Sequence, residues 1–340
     1  MAYTTVDKAS ANMNVVTFTG NGSTNNVTGV GFQPDFVWLK SRSGANDNQV
    51  YDSLRGATKY LRTESSDAEG TASTGLTAFD SDGFTLGSAG TTNGSSASMC
   101  SWNFKANGAG SANSDGSITT TSTSANTASG FSIVKFTATG SAATIGHGLG
   151  VAPAMIWVKR TSSTASWQVY HKDLGATKYL ELDNTQQEYS ATGRWNDTAP
   201  TSTVFSIGTE WNNGSELIAY CFAEKPGFSK AYTFTANGSE PRFIHCNFKP
   251  IWWIGKASSN GSESWTSYDN KREGYNPQND RLFPNTTATE SNETLIDLVS
   301  NGIVIRDTAN GHLNHGSNTY VGMAFGQSIV GSNNVPCTAR

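Results

Sequence analysis

Pro34-Asp35-Phe36-Val37-Trp38-Leu39-Lys40 decides the fold, because the stretch comes back twice in the chain. It returns as Pro153-Ala154-Met155-Ile156-Trp157-Val158-Lys159 and, more loosely, as Pro250-Ile251-Trp252-Trp253-Ile254-Gly255-Lys256. Each copy opens on a proline, which cannot donate to a sheet ladder and so belongs at a strand start or an edge. The apolar run behind it is the pattern of a strand covered on both faces, with Trp38, Trp157, Trp252 and Trp253 in a core.

The register holds outward from there. Upstream, Thr17-Phe18-Thr19-Gly20-Asn21-Gly22 matches Lys135-Phe136-Thr137-Ala138-Thr139-Gly140 and Thr233-Phe234-Thr235-Ala236-Asn237-Gly238. Downstream, Gly56-Ala57-Thr58-Lys59-Tyr60-Leu61 is repeated as Gly175-Ala176-Thr177-Lys178-Tyr179-Leu180, and Tyr51-Asp52, Tyr170-His171 and Tyr268-Asp269 fall in step. Two closing strands follow in each copy, ending at Ser101-Trp102-Asn103-Phe104, Ala219-Tyr220-Cys221-Phe222 and Gly322-Met323-Ala324-Phe325. Their alternation of apolar and polar residues puts one face in a core, and turns such as Ser81-Asp82-Gly83 and Ser300-Asn301-Gly302 join them. Helix signals are weak, with a short helical turn or crossover conceivable only at residues 67–72 and 291–300.

A unit of about 100 residues built this way needs two sheets, since one alone would leave its apolar face wet. The expectation is an all-β chain of three tandem antiparallel, jelly-roll-like β-sandwich modules set in a row. The boundaries read as an N-terminal arm (1–13), module 1 (14–105), a Gly/Ser/Thr-rich linker (106–129), module 2 (130–228) and module 3 with a C-terminal tail (229–340). The linker should be flexible unless it lies along a neighbour.

Composition narrows the function. With 23 Lys+Arg against 27 Asp+Glu, a formal charge of -4 and no long run of like charge, neither nucleic acid nor an anionic membrane is an expected partner. The opening residues hold no apolar run, and no stretch approaches the roughly 18 apolar residues of a membrane span, so a signal peptide and insertion are not expected. Cys100, Cys221, Cys246 and Cys337 lie far apart without a CxxC pair, as in a protein made in a reducing cytoplasm.

Three copies also provide an internal control, because a catalytic or metal site should stand out as a departure from the shared scaffold. Asp80-Ser81-Asp82-Gly83 has the look of a calcium loop, but the matching turns near Ser202 and Asn301 lack its carboxylates, so it reads as a turn. His312 and His315, near Asp307, could hold a metal, but their spacing suits a helix while their Gly/Asn/Ser setting is a loop. His147 sits in a Gly-rich loop, and His171 stands where the other copies have Asp52 and Asp269, which excludes a shared general base. Glu64, Asp67 and Glu69 read as a solvated rim, and no nucleophile-elbow, zincin or phosphate-loop motif occurs. The reading is therefore non-enzymatic, with no catalytic residue, metal or cofactor. Trp195 and Trp211 lie among polar turn residues; they cover a module edge or, as the one ligand-site candidate, stack on a sugar or a partner subunit.

Several stretches carry a resemblance: Gly31-Phe32-Gln33-Pro34-Asp35-Phe36-Val37-Trp38-Leu39-Lys40, the run from Gly75 to Phe84, Gly146-His147-Gly148-Leu149-Gly150-Val151-Ala152-Pro153, the run from Trp195 to Ser202, and Asn334-Val335-Pro336-Cys337-Thr338-Ala339-Arg340. The chain resembles the repeated virion proteins of marine tailed bacteriophages, including those of cyanobacteria. That resemblance covers nearly the whole chain and is weakest in the third copy. It implies a structural role on the exterior of the particle, as a tail-fibre or spike component in host attachment or as a capsid decoration protein. Expected partners are other virion proteins, further copies of the chain in a homo-oligomer and a host surface glycan; a polysaccharide depolymerase is the enzymatic rival.

Overall fold

The computed structural model describes residues 4, 6–239, 241–307 and 312–328. They form an all-β protein of six antiparallel sheets, three large and three small, with two four-residue helices at Gly90–Asn93 and Thr192–Trp195.

The large sheets share one strand order. In the first, the opening strand Met13–Thr19 pairs with the closing strand Ser98–Phe104, which pairs with the tryptophan strand Phe36–Ser41, followed by Gln49–Asp52 and Lys59–Arg62. The second runs Phe131–Thr137, Glu216–Ala223, Pro153–Arg160, Gln168–His171 and Lys178–Glu181. The third runs Ser229–Thr235, Thr319–Ser328, Phe248–Ala257 and Thr266–Asp269. Each is backed by a small sheet from the same stretch of chain: Asn25–Thr28 with Gly83–Leu86 and Leu76–Asp80, Ala143–Gly146 with Val204–Ile207, and Arg242–His245 with Gly302–Ile305, Ser291–Val299 and Gln278–Arg281.

The tryptophan strands are buried along almost their whole length because each divides two cores. Side chains alternate across a strand, so Val37 and Leu39 face the first small sheet while Phe36 and Trp38 face the other way. Ile156 and Val158 face the second small sheet, Trp253 the third, and Met155, Trp157, Trp252 and Ile254 all point inward. The inward faces of all three large sheets meet in one central cluster. At its middle Phe104, Phe222 and Phe325, which hold the same register position on the three closing strands, form a near-equilateral triangle with ring centroids 5.6, 5.1 and 5.8 Å apart. Trp38 packs edge-on against Trp102, Trp157 and Trp252 in the same cluster.

The three sandwiches are therefore not strung in a row. Each large sheet is apolar on both faces, and a row would leave the inner face of each end unit in water; clustering about one core removes that cost. Three smaller expectations also change. From Val6 onward the N-terminal arm packs into the central cluster through Val6, Ala9 and Met13. The 106–129 tract is not a free linker: Ser122–Asn126 is an edge strand on Phe131–Thr137, and bridges at Ser111–Thr123 and Ile118–Ile145 bind the rest to the second sandwich. Hydroxyls and backbone amides add to those attachments, Thr144 Oγ1 accepting from the Ser117 amide and Ser117 Oγ from the Thr144 amide, so a scan for apolar residues passes the tract over. The segments with weak helix signals hold strands, Gly70–Thr71 and Ser291–Val299. Close approach of a neighbouring strand requires two of the turn glycines: a Cβ on Gly83 would lie 1.9 Å from the Val27 carbonyl oxygen, and one on Gly302 would lie 2.2 Å from that of Ile244.

Candidate functional site

The most ordered polar feature is a closed cycle of hydrogen bonds between the three sandwiches. Lys40, Lys159 and Lys256 end the tryptophan strands at equivalent positions, and all three are buried. Each ammonium donates to a loop carbonyl of its own sandwich and to one of a neighbour. Lys40 reaches Asn46 and, at 3.1 Å, Thr286; Lys159 reaches Ala165 and, at 2.8 Å, Ser66; Lys256 reaches Glu263 and, at 3.2 Å, Asn184. The first sandwich thus grips the third, the second grips the first and the third grips the second. Burial lowers Lys40 and Lys159 to about 8 and Lys256 to about 7, with nearby carboxylates opposing the shift.

A second cycle follows the same course. The Trp167 indole donates to the Arg62 carbonyl at 2.7 Å and the Trp265 indole to Glu181 at 2.8 Å, while Asn48 at the equivalent place donates to Pro284 and Thr286. A third is made by backbone alone: the amides of Glu69, Glu188 and Glu290 donate to the carbonyls of Thr161, Ser258 and Arg42 at 2.9, 2.7 and 3.0 Å.

The candidates from the sequence mostly belong to this framework. Glu64 accepts from the Asn48 amide at 3.0 Å and is raised by burial to about 7. Asp67 pairs with Arg62 and is exposed, as a solvated rim residue would be, whereas Glu69 is half-buried 3.5 Å from Arg55 and its backbone amide crosses to Thr161. The Asp52–Arg55 pair is buried, as is Asp269–Arg272 in the third sandwich, and the second carries His171 and Leu174 instead. His171 accepts from the Asp173 amide through Nδ1, which leaves Nε2–H to donate to the Gly322 carbonyl at 3.1 Å; burial lowers its pKa. His147 is likewise buried, with Nδ1 accepting from Leu149 and Nε2 beside the Thr201 carbonyl, and burial lowers its pKa too.

The calcium-loop carboxylates are spent on protein donors, Asp82 accepting from the amides of Gly29 and Gly31 on a neighbouring segment and Asp80 from the Thr85 hydroxyl. His312 and His315 flank the Glu263 carboxylate at 3.3 and 3.4 Å, while Asp307 accepts from the Leu313 amide; residues 308–311 lie outside the described residues. Among the described residues no group of three or more His, Cys, Asp or Glu is arranged to hold a metal, and no helix is long and apolar enough to cross a membrane. Cys100, Cys221 and Cys246 are buried free thiols; Cys337 and the 334–340 motif lie outside the described residues.

Trp195 and Trp211 are each only 1% exposed, so neither is a stacking platform. Helix Thr192–Trp195 ends on Asn196 in the left-handed conformation, which turns Trp195 inward against Tyr170. The Trp211 indole donates to the Arg194 carbonyl at 3.0 Å, and the Arg194 guanidinium covers both Trp211 and Tyr179. The flanking Asn196, Asn212 and Asn213 are exposed while the rings beside them are buried, so polar neighbours in sequence do not mark an exposed ring.

Beside Trp211 there is nevertheless a cavity of about 460 Å³, lined chiefly by Arg160, Gln168, Glu181, Arg194 and Glu210. Arg160, Gln168 and Glu181 come from three adjacent strands of the second large sheet, and Arg194 pairs with Glu210 at 3.1 Å across the mouth. Sequence reasoning named the neighbouring tryptophans and missed these residues; the signal was available, because the first and third copies carry Ser41 and Ala257 where the second has Arg160.

Comparison with curated proteins finds no match. Residues 8–328 match the model of a family described as a domain of unknown function, DUF7483, a span that takes in all three sandwiches. The chain belongs to the DUF7483 family.

Proposed function

We propose that this protein is a non-enzymatic structural component of the exterior of a tailed-phage particle, placed at the tail fibre or spike and assembled there with other virion proteins. The observation that supports a structural role is the closed cycle of buried lysine-to-carbonyl bonds around one shared core. Groups that an enzyme would keep available in a cleft are here committed to holding three sandwiches in fixed relation, as suits a block that must resist force and proteolysis. The location rests on the resemblance of the repeated motifs.

Capsid decoration is the second reading, favoured by the near-threefold arrangement of Phe104, Phe222 and Phe325, since a three-lobed block fits a local threefold position on a shell. Electron microscopy of particles carrying a labelled copy decides between them. Label on the tail is the expected result, label on the shell alone replaces fibre by decoration, and unlabelled particles end the virion reading.

A further inference from the structure

We propose that the cavity beside Trp211 binds a neutral sugar residue, with adjacent hydroxyls of the ring bridging Arg160 and Gln168. The inference goes beyond the structural role and does not depend on where in a particle the protein sits.

Gln168 carries the argument furthest. It is 2% exposed, and its amide nitrogen is used, donating to the Ser166 carbonyl and the Glu181 carboxylate at 3.2 Å each. Its carbonyl oxygen is buried and has no hydrogen-bond partner among the described residues. The first sandwich shows how the same position is completed when no ligand is needed: the Gln49 oxygen receives the Tyr51 hydroxyl at 2.5 Å. A buried acceptor left open costs about 1–3 kcal/mol, so such groups occur where something supplies the missing donor.

Arg160 points to the same place from the opposite chemistry. Its Nε is buried without a partner, and no carboxylate lies within ion-pair distance of its guanidinium among the described residues. Arg194, across the cavity, is by contrast neutralised by Glu210. Arg160 and Gln168 thus line the cavity from neighbouring strands, each holding a buried polar atom that has no hydrogen-bond partner among the described residues.

A hydroxyl pair matches this lining because each hydroxyl both donates and accepts: one oxygen accepts from Arg160 while the other donates to Gln168. The two arginines balance Glu181 and Glu210, so the lining has no net charge, which favours a neutral ring over an acidic one. Trp211 lies beneath Arg194 as floor, so recognition here runs through hydrogen bonds and not through ring stacking. The cavity volume falls in the range of small-molecule sites and exceeds what a single ordered water needs.

The test uses the full-length chain against a panel of neutral oligosaccharides, with uronate-bearing counterparts alongside, followed by calorimetric titration of whatever binds. A neutral glycan is expected to bind, with Arg160→Gln and Gln168→Met each weakening it about ten-fold or more, as loss of a buried or charge-assisted hydrogen bond implies. Gln49→Met, the matching change in the first sandwich, should leave affinity unchanged. Hydrogen exchange on the unaltered protein gives a readout that needs no variant: the bound glycan should slow exchange at residues 192–195 and 210–214. Absence of binding across the panel, preference for the uronate series, or binding indifferent to both cavity substitutions would overturn the proposal.

Discussion

The Tyr220 hydroxyl of the second sandwich donates to the Asp52 carboxylate of the first across 2.6 Å, inside the protein and beside the Arg55 guanidinium. The matching bond between the first and third sandwiches runs from the Trp102 indole to Asp269 at 3.1 Å, and that between the second and third from His171 to the Gly322 carbonyl. One position on the scaffold therefore serves each seam with a different chemical solution.

Asp52→Ala takes the close carboxylate from a buried guanidinium, leaving only Glu69 at 3.5 Å, and is expected to destabilise the protein by about 3–5 kcal/mol, whereas Tyr220→Phe removes one hydrogen bond at about 1–2 kcal/mol. The paired change Asp52→His with Arg55→Leu, which copies His171 and Leu174, should cost less than Asp52→Ala alone. Urea unfolding of the three variants checks this; a paired change as damaging as Asp52→Ala would show that the seams are not interchangeable.

Lysine pH dependence should be visible through Lys256. Its folded pKa of about 7 lies below its ordinary value of 10.5, so between those values the unfolded chain holds more protons and stability rises with pH. Below about pH 7 both states are protonated and the penalty is constant. Lys256→Met should flatten the slope of stability between pH 7.5 and 9.5 by about 1 kcal/mol per pH unit. Parallel slopes for the two proteins, from urea midpoints across that range, would contradict the burial of a titrating amine.

Because one core joins the three sandwiches, the chain should unfold in a single step. Phe222→Ala, which removes one corner of the aromatic triangle, is expected to cost about 3–5 kcal/mol and to lower the midpoint of the entire transition. Calorimetry resolving two or three separate transitions, with only one moved by the substitution, would refute the shared core.

Thiol chemistry gives a fourth check. In a Cys337→Ser background, Cys100, Cys221 and Cys246 are buried, and burial raises the latter two to about 12, so no thiol should react with a disulfide reagent in the native state. All three should react after denaturation in urea. Rapid labelling of the native protein would place at least one of them at the surface.

The sequence by itself determined the β-rich character, the internal repeat and the division of each tryptophan strand into inward and outward residues, because side-chain alternation along a strand is written directly in the order of residues. That alternation alone puts Val37 on one face of its strand and Phe36 and Trp38 on the other. Only the tertiary structure decided what the inward faces meet. A run of apolar residues is equally satisfied by a second sheet or by two neighbouring sandwiches, and the order of residues does not say which.

The fates of Lys40, Lys159, Lys256, Trp195 and Trp211 were decided by the same level of structure. The lysines are held by backbone carbonyls, which every residue supplies, so no partner motif marks them. The tryptophans turn into the core of the second sandwich while the polar turn residues beside them in sequence stay exposed. The cavity beside Trp211 is likewise a matter of three strands and a loop converging, with Arg160 and Gln168 brought together by sheet register across a break of seven residues in the chain.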